Sequence, residues 1–127
     1  MLAIAFAALL VVQSANQFDL ICEGEHVGRW EGTVNRKPFD AHYRIDLDRR
    51  VWCGADCTSV QDIASVSPTR IVLKASGPGI FGGHDSGTWV DRSTGRLTGG
   101  SDSEFLKTSL SAQCRRATFT PIPRNLF

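Results

Sequence analysis

The chain has 127 residues, with 14 Lys+Arg against 13 Asp+Glu and 42% hydrophobic residues, enough for one core and too little for two. A formal charge of +1 leaves no electrostatic footprint for nucleic acid or an anionic membrane surface. The composition is neither disordered nor membrane-spanning, and 12 Gly with 5 Pro predict a globular domain rich in turns.

Residues 1–12 (MLAIAFAALLVV) are an unbroken apolar run, followed by the small and polar Gln13-Ser14-Ala15-Asn16-Gln17. That is the shape of a signal peptide, and the run falls well short of the roughly 20 apolar residues a spanning helix needs. The expectation is a leader over 1–15, cut after Ala15 or after Ser14, and a single β domain over 16–127. The mature protein is then periplasmic or secreted and has no membrane span.

From there the apolar period is 2 almost throughout, which predicts strands. Phe18, Leu20 and Cys22 alternate with Asp19, Ile21 and Glu23 in a first strand. Residues 27–34, with Trp30, read as a second, and Asn35-Arg36-Lys37-Pro38 as a turn. The clearest stretch follows: Phe39, Ala41, Tyr43, Ile45 and Leu47 on one face, with Asp40, His42, Arg44, Asp46 and Asp48 on the other. The chain returns through Val51-Trp52-Cys53, where Trp52 and a small disulfide loop are expected to cap a hairpin. Residues 60–66 and 71–73 flank a Pro68 turn, and the glycine-rich residues 76–87 (SGPGIFGGHDSG) read as a loop. Residues 87–92 and 96–100 form a hairpin about Ser93-Thr94-Gly95. Residues 108–119 are the last long strand, and an extended tail ends the chain. The fold class expected is all-β: a small antiparallel barrel or sandwich of about seven to eight strands.

Four cysteines, Cys22, Cys53, Cys57 and Cys114, in a chain that reads as exported imply disulfides. Three connectivities are open. The tight C-x3-C of Cys53 and Cys57, with Gly54 inside it, favours a local bridge, which leaves Cys22 to join Cys114. That second bridge would close a loop of about 93 residues and remove about 4 to 5 kcal/mol of denatured-state entropy. Zinc would want paired C-x2-C arms and a redox role a C-x-x-C motif; neither is present, so no metal and no cofactor is expected.

Few constellations bear chemistry. Same-face strand neighbours lie about 6 to 7 Å apart, so the row from Asp40 to Asp48 cannot converge on one centre. It reads as a solvated outer face, with Asp40 and His42, helped by His26 or Glu25, as ligands if a site exists there. His84, Asp85 and Ser86 are the residue types of a hydrolase triad, but consecutive loop residues rarely converge, and no G-x-S-x-G elbow is present. Asp91-Arg92-Ser93-Thr94-Gly95 lacks the later acidic positions of a calcium loop and reads as a hairpin turn. No catalytic residue is expected. Ile80 and Phe81, with His84 and Asp85, form a candidate recognition loop; Trp30 and Trp52 are candidate walls for a small ligand.

The run YRIDLDRRVWCGADC (43–57), the hairpin VDRSTG (90–95) and the ending around Cys114 with 119–123 resemble a family of small exported proteobacterial proteins of unknown function, which implies compartment and no specific activity. Gly28-Arg29-Trp30 is similar to the G-x-W of lipocalins and avidins, implying a barrel that holds a small ligand. A short exported barrel with a late Cys and a Ser76-Gly77 loop resembles the periplasmic C-type lysozyme inhibitors, with Pro78-Gly79-Ile80-Phe81 standing where those proteins carry a Tyr. The function expected is therefore a non-enzymatic exported binding or envelope-associated protein. Its partner would be a small ligand or an envelope protein, with a carrier barrel or an inhibitor acting through residues 76–87 as alternatives.

Overall fold

The computed structural model describes residues 14–76, 85–102 and 106–124. They contain no helix and nine strands: β1 (Gln17–Trp30), β2 (Thr33–Asp46), β3 (Val51–Gly54), β4 (Gln61–Asp62), β5 (Ser65–Val66), β6 (Arg70–Ser76), β7 (Asp85–Asp91), β8 (Arg96–Asp102) and β9 (Lys107–Ala117). All pairings are antiparallel, in a single sheet of order β4-β3-β2-β1-β9-β8-β7-β6-β5.

The two ends of that order are adjacent in sequence, separated only by Ile63 and Ala64. The Ile63 N–H donates to the Arg50 carbonyl beside β3 at 2.9 Å, and the Ala64 N–H donates to the Val72 carbonyl of β6 at 2.9 Å. One short stretch is thus bonded to both ends of the sheet, which can happen only if the sheet curls round. The indole N–H of Trp52 crosses the same seam to the Leu73 carbonyl at 3.2 Å. The result is a curled half-barrel rather than a sandwich. Its seam is short: β4 pairs with β3 only at Gln61 and Asp62, and β5 with β6 only at Ser65 and Val66.

The inward side chains follow the period of 2. Phe18, Leu20 and Cys22 from β1, Ile45 from β2, Leu73 from β6, Leu97 from β8 and Leu110, Ala112 and Cys114 from β9 are all buried in one cluster with Trp52. Tyr43 packs against it with its ring edge-on to Trp52, 5.6 Å between centroids, and burial pushes its hydroxyl pKa above the usual value.

Cys22 bonds Cys114 and Cys53 bonds Cys57. Cys22 lies directly opposite Cys114 across β1 and β9, with Cα atoms 4.0 Å apart. The Cys114 N–H turns the other way, to the Gly95 carbonyl at 2.8 Å. The two cysteines therefore form a non-hydrogen-bonded pair, the narrow kind that brings side chains closest.

Four expectations need correction. The first hairpin turns at Glu31-Gly32, not at 35–38, so β1 and β2 are each one continuous 14-residue strand. Both turn residues have positive φ, 48° and 76°, which suits a two-residue turn twisted with the strands. In such a hairpin Trp30 and Thr33 bond each other, and every second residue of β2 then directs its N–H to β1. Pro38 falls in the other set, where its missing N–H faces a side with no strand partner among the described residues, as an edge strand permits. The stretch 60–66 is two two-residue strands rather than one, because it changes partner midway. Trp30, expected as a wall of a ligand-holding barrel, is instead 58% exposed at the hairpin tip. Finally, the charged face of β2 is not simply solvated: Asp46 is buried, and so is Asp19 on β1, beneath the C-terminal tail.

The β7–β8 turn is built as a turn and not as a cation loop. The Asp91 carboxylate accepts from the Ser93 N–H at 2.8 Å, the Ser93 hydroxyl at 2.7 Å and the Thr94 N–H at 3.1 Å, with Gly95 at φ 74° closing it. The Ser93 hydroxyl first, then the Ser93 and Thr94 amides, hold the Asp91 carboxyl below the usual carboxylate range. A depressed folded value means the stabilisation is present above the ordinary carboxylate range and lost as pH falls through the folded value. Thermal melts of the wild type and Asp91→Ala should accordingly differ most at neutral pH and converge as acidification protonates the Asp91 carboxylate; a gap unchanged with pH would remove the charge from the explanation.

Candidate functional site

The charged row of β2 does not converge on a ligand; it docks the tail. His42 Nε2 lies 2.7 Å from Asp19 Oδ2, and Asp19 also accepts from the Thr120 N–H at 2.9 Å and the Thr120 hydroxyl at 2.6 Å. Arg44 donates to the Pro121 carbonyl at 3.0 Å and the Ala55 carbonyl at 2.7 Å, and Arg49 donates to the Ile122 carbonyl at 3.0 Å. Ile122 is buried against Cys53 and Cys57, with Val51, Val60 and Phe119 around them. A second small core therefore sits outside the sheet, beneath the tail.

The other residues considered for a metal site are dispersed. Asp40 is exposed opposite Glu23. His26 stands opposite Lys37, on the alternate face to Glu25, and Glu25 pairs with Arg36 at 2.8 Å. No group of His, Cys, Asp and Glu among the described residues could hold a metal ion.

The candidate binding residues are not brought together either. Trp30 pairs with Thr33 and Trp52 with Ile45, about 40 Å apart along β2 at the ordinary strand rise. Trp52 is a core residue whose N–H is already used. Asp85 opens β7 opposite Asp102, whereas Ile80, Phe81 and His84 lie outside the described residues.

A different place has the shape of a site. A groove of about 530 Å³ runs across β6 to β9, walled by Arg70, Val72 and Lys74, by Trp89, and by Ser101 and Thr108, with Gly87, Gly99 and Gly100 beneath. Its volume is in the range of small-molecule sites. The glycines are required by close approach. A Cβ at Gly100, whose φ is 153°, would collide with the Thr108 carbonyl, and one at Gly99 would come within 3.1 Å of the Gly87 carbonyl. The floor is consequently bare backbone. The indole of Trp89 lies against Gly87, 3.6 Å from where a Cβ would stand, and carries the Arg70 guanidinium 5.0 Å above its ring. Lys74, on the same strand, places its ammonium 5.4 Å from the ring of Trp52. At the rim the Ser101 and Thr108 hydroxyls are 2.7 Å apart, and Lys107 lies 3.9 Å from Asp102. Sequence reasoning missed this groove, although Trp89 two residues from Gly87 and a Gly99-Gly100 pair within a strand were signals of a smooth face under an aromatic.

No family model, curated protein or solved structure matches this chain.

Proposed function

We propose that this chain is an exported, non-enzymatic binding domain of the periplasm or extracellular space, and that its ligand lies in the groove across β6 to β9. The observation that carries this reading is the groove itself: an aromatic wall, a glycine floor and polar groups at the rim, on strands held rigidly by a disulfide-locked sheet. Two disulfides and the apolar leader sequence support an oxidising compartment. Of the two narrower readings, a carrier would need free space inside the curl. There Phe18, Leu20, Ile45, Trp52, Leu97 and Leu110 pack against one another, which favours a ligand on the wall over one in the interior. Inhibition through residues 76–87 rests mainly on a segment outside the described residues.

The test is a small-ligand screen on the 15N-labelled oxidised protein. Ligands that bind should move the Trp89 indole resonance together with the Gly99 and Gly100 amides. Responses clustered at the Trp30 hairpin tip, with the groove silent, would overturn the assignment.

A further inference from the structure

Resting on that groove as the binding site, the geometry points to a ligand class: we propose that it takes an acidic oligosaccharide, whose carboxylates are held by Arg70 and Lys74. Both cations line the groove, and both are parked on indoles, Arg70 over Trp89 at 5.0 Å and Lys74 over Trp52 at 5.4 Å. Among the described residues neither has a carboxylate partner; the ion pairs are Arg36–Glu25, His42–Asp19 and Lys107–Asp102. An indole face fixes a cation's position without using its N–H donors. The donors of Arg70 and Lys74 are thus held in place and uncommitted, which is the arrangement that favours an incoming anion, because the side-chain ordering is already done.

The rest of the groove distinguishes a glycan from a peptide. An acidic peptide bound in extended form gains affinity by adding to a sheet edge through main-chain hydrogen bonds. Here β7 lies between β6 and β8, and β8 lies between β7 and β9, so the backbone groups of the floor are already used; β6, which pairs with β5 only at Ile71 and Val72, keeps an edge beside the groove, and triglutamate tests it. Side-chain pockets are also missing where the floor is Gly87, Gly99 and Gly100. A sugar ring needs neither: its flat C–H face fits a smooth backbone floor beside an aromatic ring, and its hydroxyls meet Ser101 and Thr108.

The experiment titrates the full oxidised protein with trigalacturonate, maltotriose, triglutamate and inorganic phosphate, following the Trp89 indole and the Gly99 and Gly100 amides. Trigalacturonate should saturate these resonances, with maltotriose about tenfold weaker or worse, and its affinity should fall as salt is raised. Arg70→Gln and Lys74→Gln, each checked for an otherwise unchanged spectrum, should weaken trigalacturonate about tenfold more than they weaken maltotriose, while Arg70→Lys should retain part of the affinity. Maltotriose binding as tightly as trigalacturonate, or trigalacturonate indifferent to both Arg70→Gln and Lys74→Gln, would overturn the acidic class while the groove reading stands. Tighter binding of triglutamate would overturn the glycan, as would phosphate alone reproducing the response at equal affinity. Trigalacturonate moving only resonances outside the groove would remove both.

Discussion

Replacing Cys22 and Cys114 together by Ala should lower the stability of the oxidised protein by about 4 to 5 kcal/mol, and its melting temperature by at least about 15 °C. The bridge spans a sequence separation of 92, so in the denatured chain it forbids nearly all arrangements in which the ends of the domain drift apart. In the folded chain it costs little, because β1 and β9 already set these two positions opposite each other. The bridge between Cys53 and Cys57, only 4 apart in sequence, acts on a tight turn, and its removal should cost about 2 kcal/mol on the same reasoning. Since domains of this size have about 5 to 15 kcal/mol in hand, loss of the long bridge alone brings the fold close to its threshold. Urea unfolding followed by tryptophan fluorescence checks the pair of variants. Equal losses from the two replacements would contradict the account of the long bridge.

The second large effect belongs to Asp19. Its carboxyl is buried at 1% exposure and accepts from His42 and from both donors of Thr120. Asp19→Ala strands the Thr120 amide and detaches the tail from the sheet, with an expected loss of about 3 kcal/mol. His42→Ala should cost about 1 kcal/mol, because the His42 side chain is 39% exposed and Asp19 keeps its bonds from Thr120. Hydrogen exchange separates tail release from general loosening: in Asp19→Ala the Thr120 amide should exchange much faster, while those of Leu97 and Leu110 stay protected in proportion to global stability. Uniform acceleration across the sheet would show that Asp19 is an ordinary core residue rather than the tail's anchor.

Which features were legible in the amino-acid order follows from how far apart the interacting residues lie. The face carrying Ala41, Tyr43 and Ile45 could be read because a period of 2 is local, and the Cys53–Cys57 bridge because five residues contain it. The Glu31-Gly32 turn was hidden by stronger turn formers: Asn35 and Pro38 sit in an extended strand, since an edge tolerates a proline that a central strand would not. The purpose of the charged row was hidden for a different reason. Arg44 bonds Pro121 directly and His42 reaches the tail through Asp19, whose contact with Thr120 spans 101 residues. The groove needed four strands in register, and its floor is glycine, which weakens the strand pattern in the very segments that form it. Nor does sequence spacing reveal that Arg70 and Lys74 rest on Trp89 and Trp52, since those indoles come from β7 and β3.

The disulfide framework is tested most directly by peptide mapping of the protein purified without reductant and digested with trypsin without reduction. The predicted result is the peptide 108–115 joined by sulfur to the peptide carrying Cys22 and ending at Arg29, with peptide 51–70 lighter by the two hydrogens of its internal bridge. Free thiols at Cys22 or Cys114, or either of them joined to peptide 51–70, would contradict it.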